Sequence, residues 1–152
     1  MGHGLSFGAG IALSEKLKNK KFKTIVLLSD GECNEGSVWE AASFASAQKL
    51  NNLIALIDSN KWQATGRSHL ISGGKLIKKW KAFGWQSYNI DGNNIEQIKS
   101  CLNKSKQSNK PVAIVANTIK GKGIKFMEDD NNWHYRIPTI NELKIIKKML
   151  NQ

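Results

Sequence analysis

Two runs decide the fold: Thr24-Ile25-Val26-Leu27-Leu28-Ser29-Asp30-Gly31-Glu32-Cys33-Asn34-Glu35-Gly36 and Leu53-Ile54-Ala55-Leu56-Ile57-Asp58-Ser59-Asn60. Each opens on a continuous apolar stretch of strand length, rich in branched residues, which is the pattern of strands buried on both faces. Between them Ser37 to Leu50 is alanine-rich and free of glycine and proline, which predicts a helix. Strand, helix and strand in that order make a right-handed crossover between parallel strands. Asp30 and Asn60 then fall at the carboxyl edge of one sheet, where open α/β folds place their ligands.

An aspartate closing one buried strand, a glycine behind it and an asparagine closing the next strand offer two hard oxygens and a close backbone approach. A diphosphate carried on a small divalent cation suits that arrangement. Mg²⁺ takes a few carboxylate or amide oxygens together with the phosphate oxygens of its ligand. Asp-Gly by itself is a common turn pair. The spacing to Asn60, with Glu35-Gly36 behind, is what points to a site.

Working outward, glycines at 2, 4, 8 and 10 lead into Ile11 to Leu17, a helix whose small residues let it lie close to a neighbouring backbone or a bound ring. Lys61 to Ser68 is polar and reads as a loop. A helix from about Lys75 to Phe83 ends at Gly84 as its cap, and a strand follows over Trp85 to Ile90, stopped by Asp91-Gly92. Asn94 to Lys104 is a further amphipathic helix, and Pro111 introduces a buried-type strand over Val112 to Thr118. Lys120-Gly121-Lys122-Gly123 is a basic turn at the same sheet edge, able to close over an anion. Met127 to Pro138 is a loop holding Trp133-His134. Asn141 to Leu150 is a closing helix capped by Thr139 or Asn141.

The chain has 152 residues, 40% of them hydrophobic, enough for one ordinary core and a single domain over 1–152. Cys33 and Cys101 carry no metal-ligand spacing and read as reduced thiols in a cytoplasm. No signal peptide or spanning helix is expected. The net charge of +11 comes from lysines such as Lys16, Lys18, Lys20, Lys75, Lys78 and Lys144, on predicted helix ends and outer faces. No helix-turn-helix, zinc-finger or aromatic RNA-binding pattern accompanies them, which argues against nucleic acid. The five tryptophans read as core or interface residues, and His69 has no assigned role.

Several short motifs agree, in order, with one family. The chain resembles the cofactor-diphosphate-binding domain of transketolases, and especially the N-terminal subunit of split, two-chain transketolases. The motifs are Ser29-Asp30-Gly31 for the family's G-D-G, Glu35-Gly36-Ser37-Val38-Trp39-Glu40-Ala41, Asn52-Leu53-Ile54, Asp58-Ser59-Asn60, Lys120-Gly121-Lys122-Gly123 and Trp133-His134 followed by Pro138. Gly2-His3-Gly4-Leu5-Ser6 is similar to the end of the family's G-x-L-G-x-G segment.

The resemblance implies an α/β thiamine diphosphate-binding fold, a mostly parallel sheet flanked by helices. It assigns Asp30 and Asn60 as side-chain ligands of Mg²⁺ or Ca²⁺, with the main-chain carbonyl of Trp62 as a third. Gly31 and Glu32 would offer backbone N–H groups to thiamine diphosphate, Lys120 and His134 match positions near the diphosphate and the reacting sugar, and Glu35 matches an interface glutamate that couples paired active sites. Ser29 stands where the family has its first glycine, and Tyr135-Arg136 where it has a small residue. The family has about a hundred residues before residue 2, so the domain reads as incomplete at its N-terminus. Those residues would add the first strands and several sugar-gripping histidines.

The implied function is the thiamine diphosphate- and Mg-binding half of an enzyme moving a two-carbon ketol unit between sugar phosphates. A partner chain would carry the pyrimidine-binding domain, in a homodimeric or heterotetrameric assembly without nucleic acid or membrane, and this chain alone would be inactive. Two alternatives stand beside it. One is another thiamine diphosphate enzyme, of the 1-deoxyxylulose-phosphate synthase or 2-oxoacid dehydrogenase type. The other is a truncated domain that binds cofactor or a partner without turnover.

Overall fold

A computed structural model describes residues 1–150. Its centre is a four-stranded, all-parallel sheet built from β1 (Thr24–Ser29), β2 (Leu53–Ser59), β5 (Gln86–Asp91) and β6 (Val112–Asn117), in the order β1-β2-β6-β5. The register pairs Ser29 with Asp58 and Ser59 with Asn117, so three strands end level with one another. Helices α1 (Gly4–Leu17), α2 (Gly36–Ala47), α4 (Leu76–Ala82) and α5 (Ile95–Ser105) connect or flank the strands, and α6 (Ile140–Leu150) closes the described chain. No described helix is long and apolar enough to cross a membrane.

One face of the sheet carries the main core. Leu28, Leu53, Ala55, Ile57, Ala113 and Val115 meet Leu5, Ala9 and Ala12 of α1, Val38, Ala41, Ala42 and Ala45 of α2, and Trp80 of α4. The alanines of α2 turn its small face into this core. The gap beyond it is filled by Trp39, Trp80 and Trp85, with ring centroids 4.8–5.1 Å apart in tilted and edge-on pairs. The Trp85 indole N–H is satisfied by the Ala42 carbonyl at 2.9 Å. α1 packs against β1 through glycine: a Cβ on Gly8 would lie 2.2 Å from Val26 Cγ2.

The second face is covered only in part. Cys101 of α5 packs over Ile54, Val112 and Ile114, but Ile25 and Leu27 of β1 are 53% and 70% exposed. The expectation that β1 is buried on both faces is therefore corrected. Among the described residues β1 pairs only with β2, and no helix covers its outer row. Three boundaries also differ from expectation. Residues read as one loop after Asn60 contain a small antiparallel hairpin, β3 (Trp62–Gln63) with β4 (Gly66–Arg67), and the short helix α3 (Ser68–Ile71). The segment holding Trp133-His134 winds into a 3₁₀ turn over Asn131–His134. Helix α6 begins at Ile140, and Thr139 is its cap: Thr139 Oγ1 accepts from Glu142 N while Glu142 Oε2 accepts from Thr139 N.

Candidate functional site at the carboxyl edge of the sheet

Asp30 lies one residue past β1, and its N–H donates to the Asp58 carbonyl at 3.0 Å, which continues the ladder by one bond. Its side chain is buried yet fully engaged. Oδ1 accepts from Gly31 N at 2.9 Å, and Oδ2 accepts from Lys61 N at 2.8 Å and Ser68 Oγ at 2.6 Å. The ladder sets the ends of β1 and β2 side by side, and the bond from Lys61 ties the turn after β2 to Asp30, so the Asn60 backbone is held near it. Lys61 takes φ +71 to do so.

Burial pushes the Asp30 carboxyl up from its usual range, the Ser68 hydroxyl and the Lys61 and Gly31 amides pull it back, and Asp58 adds to the rise. None of the ion pairs among the described residues includes Asp30. A buried carboxylate without a cationic partner carries a desolvation cost that a bound cation would offset. Asn60 carries the second hard oxygen at this strand end. Its Oδ1 now accepts from Trp62 N at 2.9 Å, and its Nδ2 donates to Asp58 Oδ2 at 3.2 Å. Among the described residues no three His, Cys, Asp or Glu side chains are grouped to hold a metal by themselves. That donor set fits a hard cation which keeps ligand oxygens and water in its shell, the habit of Mg²⁺.

Beside Asp30 opens a cleft of about 560 Å³, lined by Asp30, Asn34, Lys61, Ser68, His69, Lys75, Lys79 and Asn117 among others, with Asp30 its one carboxylate. Three lysines around one acid give the cleft a net positive lining. The Gly31 and Glu32 amides, expected to face a diphosphate, are held internally: Gly31 N by Asp30 Oδ1, and Glu32 N by Ser29 Oγ at 3.0 Å. Ser29, the departure from the family motif, thus occupies a donor of the turn. A Cβ on Gly31 would come 2.8 Å from Gln63 Cβ, so the turn and the hairpin pack tightly there.

Lys120 and His134 are brought together, with Nζ and Nδ1 3.5 Å apart. Neither residue nor Trp62 lines the cleft. They belong to a neighbouring lobe joined to it by the hairpin. There Asp129 accepts from the Trp62 indole at 2.8 Å and from both terminal nitrogens of Arg67 at 2.7 Å. The Arg67 and Trp62 donors hold the Asp129 carboxyl down at about 2. Thr118 donates to Asp58 across the same edge. Glu35 is exposed, at the N-cap of α2, away from the cleft lining.

Ser68, Arg67 and Asp129 are the residues that sequence reasoning missed. Ser68 sits in a polar stretch with nothing to mark it. The Arg67–Asp129 pair spans 62 residues, a separation no local pattern reveals.

The chain matches the family model described as transketolase, thiamine diphosphate binding domain, over residues 1–151. The chain belongs to that family. It is 40% identical over 146 residues to one of the named subunits of the apulose-4-phosphate transketolase of Actinobacillus succinogenes, a match covering 95% of this chain and 53% of that protein. It is also 40% identical to 6-deoxy-6-sulfo-D-fructose transketolase subunit SqwG of Clostridium sp. strain MSTE9, over 84% of this chain and 47% of that one. Among solved structures, transketolase from Campylobacter jejuni superposes with a TM-score of 0.82 at 30% identity, covering 87% of this chain and 22% of the other. The chain spans about half the length of these curated subunit relatives. As a transketolase thiamine diphosphate-binding domain it has the mostly parallel, helix-flanked sheet that its motifs imply.

Proposed function

We propose that this transketolase-family chain is one half of a two-chain transketolase, holding thiamine diphosphate and a divalent cation at the carboxyl edge of its sheet while a partner chain supplies the pyrimidine-binding domain. Asp30 carries the reading. It is a buried carboxylate without an ion-pair partner among the described residues, tied to the turn that follows the neighbouring strand and opening on a lysine-lined cleft. Two relatives are each named as a subunit of a transketolase, which supports the partner chain.

Asp30 and Asn60, with the Trp62 carbonyl, would hold Mg²⁺ or Ca²⁺. Gly31 and Glu32 would offer their amides to the diphosphate, once Ser29 Oγ turns away from Glu32. Thiamine diphosphate, when bound, supplies the electron sink for a two-carbon carbanion. Lys120 would face the diphosphate or substrate with its positive charge, and His134 would hydrogen-bond to a sugar oxygen. The substrates would be sugar phosphates, and the exposed Glu35 would lie at an interface between copies in a homodimer or heterotetramer. The domain would span 1–152, with the work done in the cytoplasm.

Calorimetry of the assembled protein with Mg²⁺ and thiamine diphosphate tests the reading. Asp30→Ala is expected to abolish metal-dependent cofactor binding. Unchanged affinity in that variant would overturn the proposal.

A further inference from the structure

The β3–β4 hairpin is two residue pairs long, Trp62 with Arg67 and Gln63 with Gly66, and so short a ladder is not stable by itself in water. Its root is fixed from outside. Asp129, in the left-handed region at φ +56, turns its carboxylate onto both members of the root pair. The Arg67 guanidinium meets it with two parallel bonds, the geometry that an arginine fork and a carboxylate favour. The guanidinium also lies over the Trp62 ring, 3.7 Å from its centroid. Asn131 donates to the Ala64 carbonyl at the hairpin tip, at 3.3 Å. The Asp129 backbone N–H donates in turn to the Lys120 carbonyl at 2.9 Å.

We infer that Asp129 is a positioning residue. The latch it forms with Arg67 and Trp62 holds the hairpin so that the Trp62 carbonyl stays where a cation can use it, and it joins the Lys120–His134 lobe to that carbonyl. The inference rests on the proposed role of Trp62 at the cation. It explains why an aspartate stands at a positive φ in an exposed loop, a conformation Asp tolerates better than most residues. It also explains why a charged fork is placed at the root of the hairpin, while Gln63 is held from the other side by Asn34 Nδ2 at 2.7 Å.

The experiment uses the assembled protein and three variants. Asp129→Asn keeps the shape but loses the charge, Arg67→Met removes the fork, and Glu96→Gln breaks the exposed Glu96–Lys99 pair on α5 as a control. In the first two, amide exchange across the hairpin, including the Ser68 N–H that donates to the Lys61 carbonyl, is expected to quicken about five- to twentyfold. The Mg²⁺ concentration for half-saturation of thiamine diphosphate binding is expected to rise by a similar factor, while turnover at saturating Mg²⁺ and the melting temperature stay at wild-type values. The control is expected to change none of these. Unaltered exchange and unaltered Mg²⁺ demand in both latch variants would overturn the inference. So would a loss of turnover that excess Mg²⁺ does not restore, accompanied by a lowered melting temperature, because that pattern marks a structural prop. A wild-type protein that binds neither Mg²⁺ nor thiamine diphosphate would overturn the cofactor site itself, and the positioning role with it.

Discussion

The backbone N–H of Lys61 donates to Oδ2 of Asp30 at 2.8 Å, and this bond ties the turn after β2 to the end of β1, just beyond the ladder bond from the Asp30 N–H to the Asp58 carbonyl. It makes a single site out of residues that lie far apart in the chain, since Asn60 must follow wherever Lys61 is held. The bond depends on φ +71 at Lys61, a conformation that costs most side chains about 1 kcal/mol or more.

Lys61 therefore separates backbone from charge. Lys61→Pro removes the donor and cannot reach that φ, so it is expected to destabilise the fold by about 2–4 kcal/mol and to expose Asp30. Lys61→Gly keeps the donor and relieves the backbone, so it is expected to be no less stable than the wild type. Urea denaturation of both variants checks the pair.

Ser29 Oγ accepts the Glu32 N–H at 3.0 Å. If that amide serves a diphosphate, Ser29→Gly restores the family motif and leaves the donor free. Pyrophosphate or thiamine diphosphate affinity is expected to rise about two- to tenfold, the worth of one hydrogen bond that need not be broken. Calorimetry showing weaker binding would mean that the serine itself contacts the ligand.

Cys33 is buried, and its thiol is pushed up from 9.0 to about 12, first by burial and then by Glu32 and Asp30. At pH 8 it is a protonated thiol, so iodoacetamide is expected to leave it untouched in the folded protein and to modify it after unfolding. The sign for stability follows. Between about 9 and 12 the unfolded chain loses this proton while the folded chain keeps it, so this group's contribution to stability falls as pH rises through that window. Mass spectrometry after alkylation, and unfolding at pH 8 and 10, read the two effects.

Two glycines of α1 predict opposite outcomes. At Gly8 a Cβ would strike Val26 Cγ2 at 2.2 Å, whereas at Gly10 nothing lies within 4 Å. Gly8→Ala is expected to destabilise by about 1–3 kcal/mol through forced repacking of β1. Gly10→Ala is expected to stabilise by about 0.5–1 kcal/mol through helix propensity alone. Denaturant midpoints give both.

The sheet was legible because Leu53 to Ile57 and Val112 to Ala116 are apolar without alternation, and because Gly31 and Gly84 punctuate the chain where strand and helix stop. The same pattern misled at β1. Ile25 and Leu27 are as apolar as their neighbours, but an apolar run states what a strand prefers to touch, not whether another segment covers it. That Asp30 and Asn60 end neighbouring strands could be read from the two runs around them. The hairpin at Trp62–Arg67 could not, since two-residue strands leave no periodicity and this pair is held by Asp129, far along the chain. Ser68 was hidden for the same reason: its hydroxyl matters through Asp30, and nothing in its own surroundings points there.

The central claim is that Asp30 and Asn60 share one cation with a diphosphate. Diffraction from crystals grown with Mn²⁺ and thiamine diphosphate tests it directly, because the anomalous signal locates the metal without interpretation of the surrounding density. One peak is expected about 2.0–2.3 Å from an Asp30 carboxylate oxygen and from Asn60 Oδ1, with Asn60 turned away from Trp62 N. Thiamine diphosphate bound while the manganese peak lies apart from both residues would contradict it.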